Sequence, residues 1–182
     1  MQRMIPASTR VAQQAEGDLG EVKVEVTLTN AFEDSRARRG QIARESVRSD
    51  RVTALVDTGA VHCVLPPFVA DRLGLERPFR QVVESADGRR EEVDVTEPVL
   101  IEIEGRKVYE ECLVLGDEVL IGQTALEKAD LHVDRRERRL LPNPEHPYQP
   151  TVKVKYQTPS LRWTRDHPPP PGPVSSPAFG DR

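Results

Sequence analysis

The chain has 182 residues, of which 37% are hydrophobic and 31% charged, with a formal net charge of -4. That length holds one ordinary domain with loose ends, and the polar balance predicts that part of the chain does not fold. There is no basic excess of the kind nucleic-acid binding needs, and no run of about 18 apolar residues long enough to span a membrane.

The two cysteines, Cys63 and Cys112, form no CxxC pair, and a zinc site needs more ligands at closer spacing. They are read as reduced thiols of an intracellular protein. Met1 to Gln14 contains no apolar run of signal-peptide length, so the protein is expected to be soluble and cytoplasmic, with neither membrane nor nucleic acid as a partner.

In chain order, residues 1–18 are mixed polar without a period and are expected to be disordered. Val22, Val24, Val26 and Leu28 then alternate with Lys23, Glu25 and Thr27, a period of two that predicts a half-buried strand. Arg36 to Ser49 is charged and reads as an exposed loop or a short helix. Its basic cluster, Arg36, Arg38 and Arg39, reads as solvated surface. Val52 to Val56 predicts a second strand running into Asp57. Val64 and Leu65 are expected to be buried. Pro66-Pro67 opens a helical turn with Phe68, Val69 and Leu73 inward and Gly74 as its C-terminal cap.

Gln81 to Val95 predicts a hairpin around Ala86-Asp87-Gly88, because Asp-Gly suits the positive φ angles of a type I′ turn. Val99 to Ile103 and Val108 to Leu115 predict two further strands joined at Gly105-Arg106. Val119 to Gly122 is a short apolar run ended by glycine, and Gln123 to Ala129 one or two helical turns with Leu126 buried. Leu131 to Val133 and Arg139 to Leu141 predict short strands around the charged turn Asp134 to Arg138. Eleven of the 16 prolines lie beyond Leu141. At that density proline does not build a sheet. Residues 143–163 are therefore expected to be extended, with one candidate terminal strand at Thr151 to Tyr156. Residues 164–182 are expected to be a disordered, partly polyproline II tail.

Chemistry concentrates in Leu55-Val56-Asp57-Thr58-Gly59-Ala60. An apolar strand buries the base of a carboxylate, and glycine lets the backbone turn so that its N–H approaches that carboxylate. No G-x-S-x-G, phosphate-cradling glycine loop or HExxH occurs, and nothing near Cys63 resembles a Cys/His nucleophile arrangement. His62 reads as surface, His132 as a strand residue facing solvent, and His146 and His167 have no partners at ligand spacing.

Leu55 to Ala60, Val64-Leu65-Pro66, the Asp87-Gly88 hairpin and Leu120-Ile121-Gly122 before a short helix occur in an order that resembles the retropepsin-like aspartic proteases, especially their small bacterial single-domain members. The likeness spans roughly residues 20–142 and implies a domain over residues 19–142. It implies an all-β fold with one or two short helices: a retropepsin-like closed β-barrel, one lobe per chain, dimeric. It implies that Asp57 is catalytic, supported by Thr58 bonding across the dimer and by Gly59 N–H. It further implies that Ala60, Ser85, Ala86, Asp87, Gly88, Ile121 and Gly122 meet substrate or form the pocket floor, with no metal and no cofactor. The chain holds one D-T-G and no second Asp followed by Thr-Gly or Ser-Gly, so the second carboxylate is expected from another copy. Expected partners are thus a second copy of the chain and a peptide or unfolded protein. Terminal strands form the dimer sheet in viral relatives. The candidates here are Val22 to Leu28, Leu140-Leu141 and Val152 to Val154. A second reading is a dimeric peptide-binding or scaffold module that keeps the fold without the activity. Its motivation is the polar hairpin, Val61-His62-Cys63 and the proline-rich tail.

Overall fold

A computed structural model describes residues 21–84 and 88–151. The expected disorder of residues 1–18 and 164–182, and the candidate strands from Val152 onward, lie outside the described residues.

Strand β1 (Val22–Asn30) buries Val22, Val24, Val26 and Leu28 while Lys23 and Glu25 face water. Its last residue, Asn30, caps helix α1 (Ala31–Arg38) by accepting Glu33 N–H at 3.1 Å. The helix begins earlier than the charged stretch from Arg36 suggests, because Asn30 supplies the start signal. A single 3-10 turn (Arg44–Ser46) then leads to β2 (Ser49–Val56), which pairs antiparallel with β1 along its whole length.

Strand β3 (Val64–Leu65) is buried and opens into α2 (Pro67–Arg72), with Pro67 in the first turn and Gly74 following its end. Val69, Ala70 and Leu73 share the inward face. Phe68 does not: it is 57% exposed. On so short a helix positions 68 and 72 fall together on the outer side, and the Arg72 guanidinium lies 5.7 Å from the Phe68 ring centre.

Strands β4 (Phe79–Glu84) and β5 (Arg90–Val95) form the expected hairpin. Glu84 pairs with Arg90, so the connection spans residues 85–89 rather than a two-residue type I′ turn at Asp87-Gly88. Of its expected substrate-facing residues, Ser85, Ala86 and Asp87 lie outside the described residues; Gly88 is exposed with φ of +80°. The type I′ geometry appears instead between β6 (Val99–Ile103) and β7 (Arg106–Glu110), where Glu104 and Gly105 take φ of +48° and +72°. The turn is therefore Glu104-Gly105, and Arg106 belongs to the strand.

The expected strand over Val108 to Leu115 is broken. β7 pairs with β6, whereas β8 (Leu113–Val114) leaves to pair with β5 and β3. The crossing is fastened at Cys112, whose N–H donates to Thr96 Oγ1 at 3.1 Å and whose carbonyl accepts Thr96 N–H at 2.9 Å. Strand β9 (Leu120–Ile121) runs parallel to β2 and leads into α3 (Gln123–Ala129). A separate hairpin of β10 (Leu131–Asp134) and β11 (Arg139–Pro142) follows, with His132 exposed as expected.

The result is a mostly-β half-barrel, with three short α-helices among the described residues rather than one or two. Its nine-stranded sheet has the order β4-β5-β8-β3-β9-β2-β1-β6-β7 and curls around a core that includes Val26, Leu28, Leu65, Leu73, Ile101, Ile121 and Leu126. Among the described pairings no ladder joins β4 to β7, so the closed barrel expected from the resemblance is not formed by these strands alone. No described helix is long and apolar enough to cross a membrane.

Residues 143–151 are tied to the end of α3 by polar groups. Asp130, in a left-handed conformation, accepts from Asn143 Nδ2 at 2.8 Å and from Thr151 N–H at 3.1 Å, and lies 2.8 Å from His146 Nδ1. Those bonds, Asn143 first, hold its pKa down at about 2 against an ordinary 3.8. A carboxylate with a depressed folded-state pKa contributes stability that is fully present above its unfolded pKa and is lost as pH falls through the folded one. The Asp130 contribution should therefore be complete above pH 3.8 and fade on acidification toward about 2. Melting curves of wild type and Asp130→Asn should differ most at neutral pH and converge at the acid end. A gap that stays constant across that window would rule this out.

Candidate active site

Two pairings aim Asp57. β2 is held on one side by β1 and on the other by β9, with Leu55 opposite Leu120 and Val56 opposite Ile121. Asp57 N–H then donates to Ile121 O at 3.0 Å, so the carboxylate emerges where the ladder ends. The loop folds back on itself: Gly59 N–H donates to Asp57 Oδ1 at 2.8 Å and Ala60 N–H to Asp57 O at 3.3 Å. A Cβ on Gly59 would stand 3.2 Å from that same Oδ1, which makes glycine the residue that lets the amide come so close.

The exit of the loop rests on the start of α3. That helix has no side-chain cap. Its first free N–H groups are satisfied by the loop instead, Gln123 N–H by Ala60 O at 2.8 Å and Thr124 N–H by Val61 O at 3.2 Å. The two segments touch at Gly122, where a Cβ would meet the Val61 carbonyl oxygen at 2.9 Å and the His62 carbonyl more closely still. These are backbone atoms and cannot swing aside. Gly122→Ala is accordingly expected to cost about 1–3 kcal/mol, read as a lower urea midpoint at unchanged slope.

Asp57 and Thr58 line a cavity of about 240 Å³ together with Glu21, Val22, Leu55, Val56, Val133 and Arg135. The Asp57 side chain is half-buried, whereas Thr58 and Gly59 are exposed. Arg135 donates to Thr58 Oγ1 at 3.1 Å from the turn between β10 and β11. That turn reads from the sequence as a solvated tip, and no local signal distinguishes Arg135 from its three arginine neighbours, Arg136, Arg138 and Arg139. Ala60, Ile121 and Gly122 do not line this cavity: Ala60 is half-buried, and Ile121 lies in the core beneath the loop. Gly88 lies in the connection between β4 and β5 and is not among the residues lining this cavity.

The arrangement offers one carboxylate, braced by a backbone amide and open to a cavity, with no second carboxylate assigned to it by the same motif. Residues 43–128 match a family described as "gag-polyprotein putative aspartyl protease". That match is consistent with a retropepsin-like aspartic protease family. Among solved structures the chain is similar to the retroviral protease-like domain of Ddi1 from Leishmania major, at 17% identity over 70% of this chain and 91% of that one, with a TM-score of 0.44. It is also similar to EIAV protease complexed with the inhibitor HBY-793, at 26% identity over 42% of this chain and 75% of that one, with a TM-score of 0.35. No curated protein matches the chain.

Proposed function

We propose that the protein is an aspartic endopeptidase that works as a homodimer, cleaving peptide bonds with a water held between the Asp57 carboxylates of two copies. The observation that carries this reading is the Asp57 loop. It presents a carboxylate at the end of an apolar strand, braced by Gly59 N–H and open to a cavity, in a chain with no second D-T-G or D-S-G. The match of residues 43–128 to a family of putative aspartyl proteases supports it.

In this mechanism a twofold axis brings the two Asp57 residues together, each chain supplying one barrel-like lobe. Carboxylates about 3 Å apart cannot both ionise, so the pair shares one proton. One carboxylate takes a proton from the water as it attacks the peptide carbon; the other gives its proton to the carbonyl oxygen. The roles reverse as the tetrahedral intermediate collapses and the amine leaves. Thr58 and Gly59 hold the loop, Thr58 by exchanging its contact with Arg135 for one across the axis. Ala60, Ile121 and Gly122 form the floor, and the hairpin around Ser85 to Gly88 closes over a peptide docked as an added strand. The chemistry requires no metal and no nucleotide, and the reduced thiols suit a cytoplasmic location.

The test is hydrolysis of an unstructured polypeptide across a dilution series. Specific activity should rise with protein concentration and level off where sedimentation finds the dimer. Cleavage whose specific rate is the same in monomeric and dimeric samples would remove the shared-site mechanism.

A further inference from the structure

The only two cysteines of the chain, far apart in sequence, meet in the fold. β3 and β8 are parallel neighbours with Val64 opposite Leu113, so Cys63 and Cys112 stand opposite each other one residue earlier, and Leu113 N–H donates to Cys63 O at 3.0 Å. Adjacent strands run about 4.8 Å apart, within the roughly 4.4–6.8 Å between Cα atoms that a disulfide spans. Both side chains are buried, at 1% and 0% exposure, and both thiols are free. Cys63 Sγ also accepts Gly122 N–H at 3.4 Å.

We infer that Cys63 and Cys112 are a redox-active dithiol that closes to a disulfide when the protein meets a peroxide, stapling the exit of the Asp57 loop to β8. The two sulfurs are unequal. Contact with the Cys112 thiol, together with the hydrogen bond from Gly122 N–H, holds the Cys63 thiol below its ordinary pKa. The same contact with Cys63, followed by burial, pushes Cys112 well above its own. Cys63 is thus the sulfur that supplies a thiolate. Val61 and His62, directly before it, are exposed, so a water-sized oxidant has a short way in.

The chemistry balances. The Cys63 sulfur attacks one peroxide oxygen, the O–O bond breaks, and the released hydroxide takes a proton and leaves as water. The resulting sulfenic acid is attacked by the Cys112 sulfur: the S–S bond forms, the S–O bond breaks, and a second water leaves with the Cys112 proton. Two electrons pass from the thiols to the peroxide. A dithiol reductant reverses the bond.

This inference stands apart from proteolysis, and its test does not read activity. The full chain is treated with hydrogen peroxide and its intact mass and free thiols are measured before and after dithiothreitol. The expected product has lost two hydrogens and both titratable thiols within one chain, melts roughly 10 °C higher, and returns to the starting state on reduction. In Cys112→Ser, peroxide should leave a sulfenic acid on Cys63 that a dimedone probe traps. Retention of both thiols in the wild type, oxygen addition without loss of hydrogens, or disulfides only between chains would each overturn it.

Discussion

Replacing Asp57 by asparagine is expected to lower hydrolysis of an unstructured polypeptide by roughly 10²–10⁴-fold while leaving the melting temperature nearly unchanged. The side chain is half-buried, and its recorded side-chain partner is Gly59 N–H, at 2.8 Å to Oδ1. Asparagine keeps an oxygen in that position, so the loop loses no hydrogen bond. What it loses is the ability to take and give a proton. A paired asparagine can neither share the dyad's single proton nor accept one from water, and no other carboxylate lines the cavity except Glu21. Equal cleavage by wild type and variant would remove Asp57 from the chemistry.

Arg106→Met is expected to destabilise the fold by about 3 kcal/mol, the largest effect on stability predicted for a single side chain here. Arg106 is only 7% exposed and donates to three carbonyls: Ala129 O at 2.6 Å, Asp130 O at 2.7 Å and His146 O at 2.8 Å. It therefore binds β7, the end of α3 and residues 143–151 into one unit. Methionine fills much of the volume but leaves those oxygens without their donor, and each buried acceptor so orphaned costs about 1–3 kcal/mol. Lysine should restore only part of the loss, because a point charge cannot fork to oxygens on two segments. Urea denaturation of the three proteins measures the order wild type, Lys, Met. A change within about 0.5 kcal/mol for Met, the range of ordinary surface substitutions, would contradict this account.

How far the chain can be read without coordinates depends on the range of the interaction. The alternation of Val22 to Leu28 and the prolines before Phe68 are local signals, and both elements stand where those signals put them. The Asp57 loop is legible for the same reason: strand, carboxylate and glycine are consecutive. The break in Val108 to Leu115 is not legible, because no proline or glycine marks the point where the chain changes partners. What decides it is Thr96, 16 positions away, bonding to Cys112. Arg106 read as a turn residue because it follows Gly105; its acceptors lie 23 to 40 positions further on. The same holds for Cys63 and Cys112, for Asp130 with His146, and for Arg135 beside Thr58. Phe68 erred in the other direction. An aromatic residue suggests burial, but a six-residue helix has only one inward face, and Val69, Ala70 and Leu73 fill it.

The most direct measurement of the central claim mixes wild-type chains with Asp57→Asn chains at fixed total concentration, allows subunits to exchange, and follows hydrolysis against the wild-type fraction. If each active site needs two Asp57 carboxylates, only wild-type pairs work, and the rate falls as the square of that fraction. A rate that falls in simple proportion would mean that each chain works with its own Asp57 alone, contradicting the shared site.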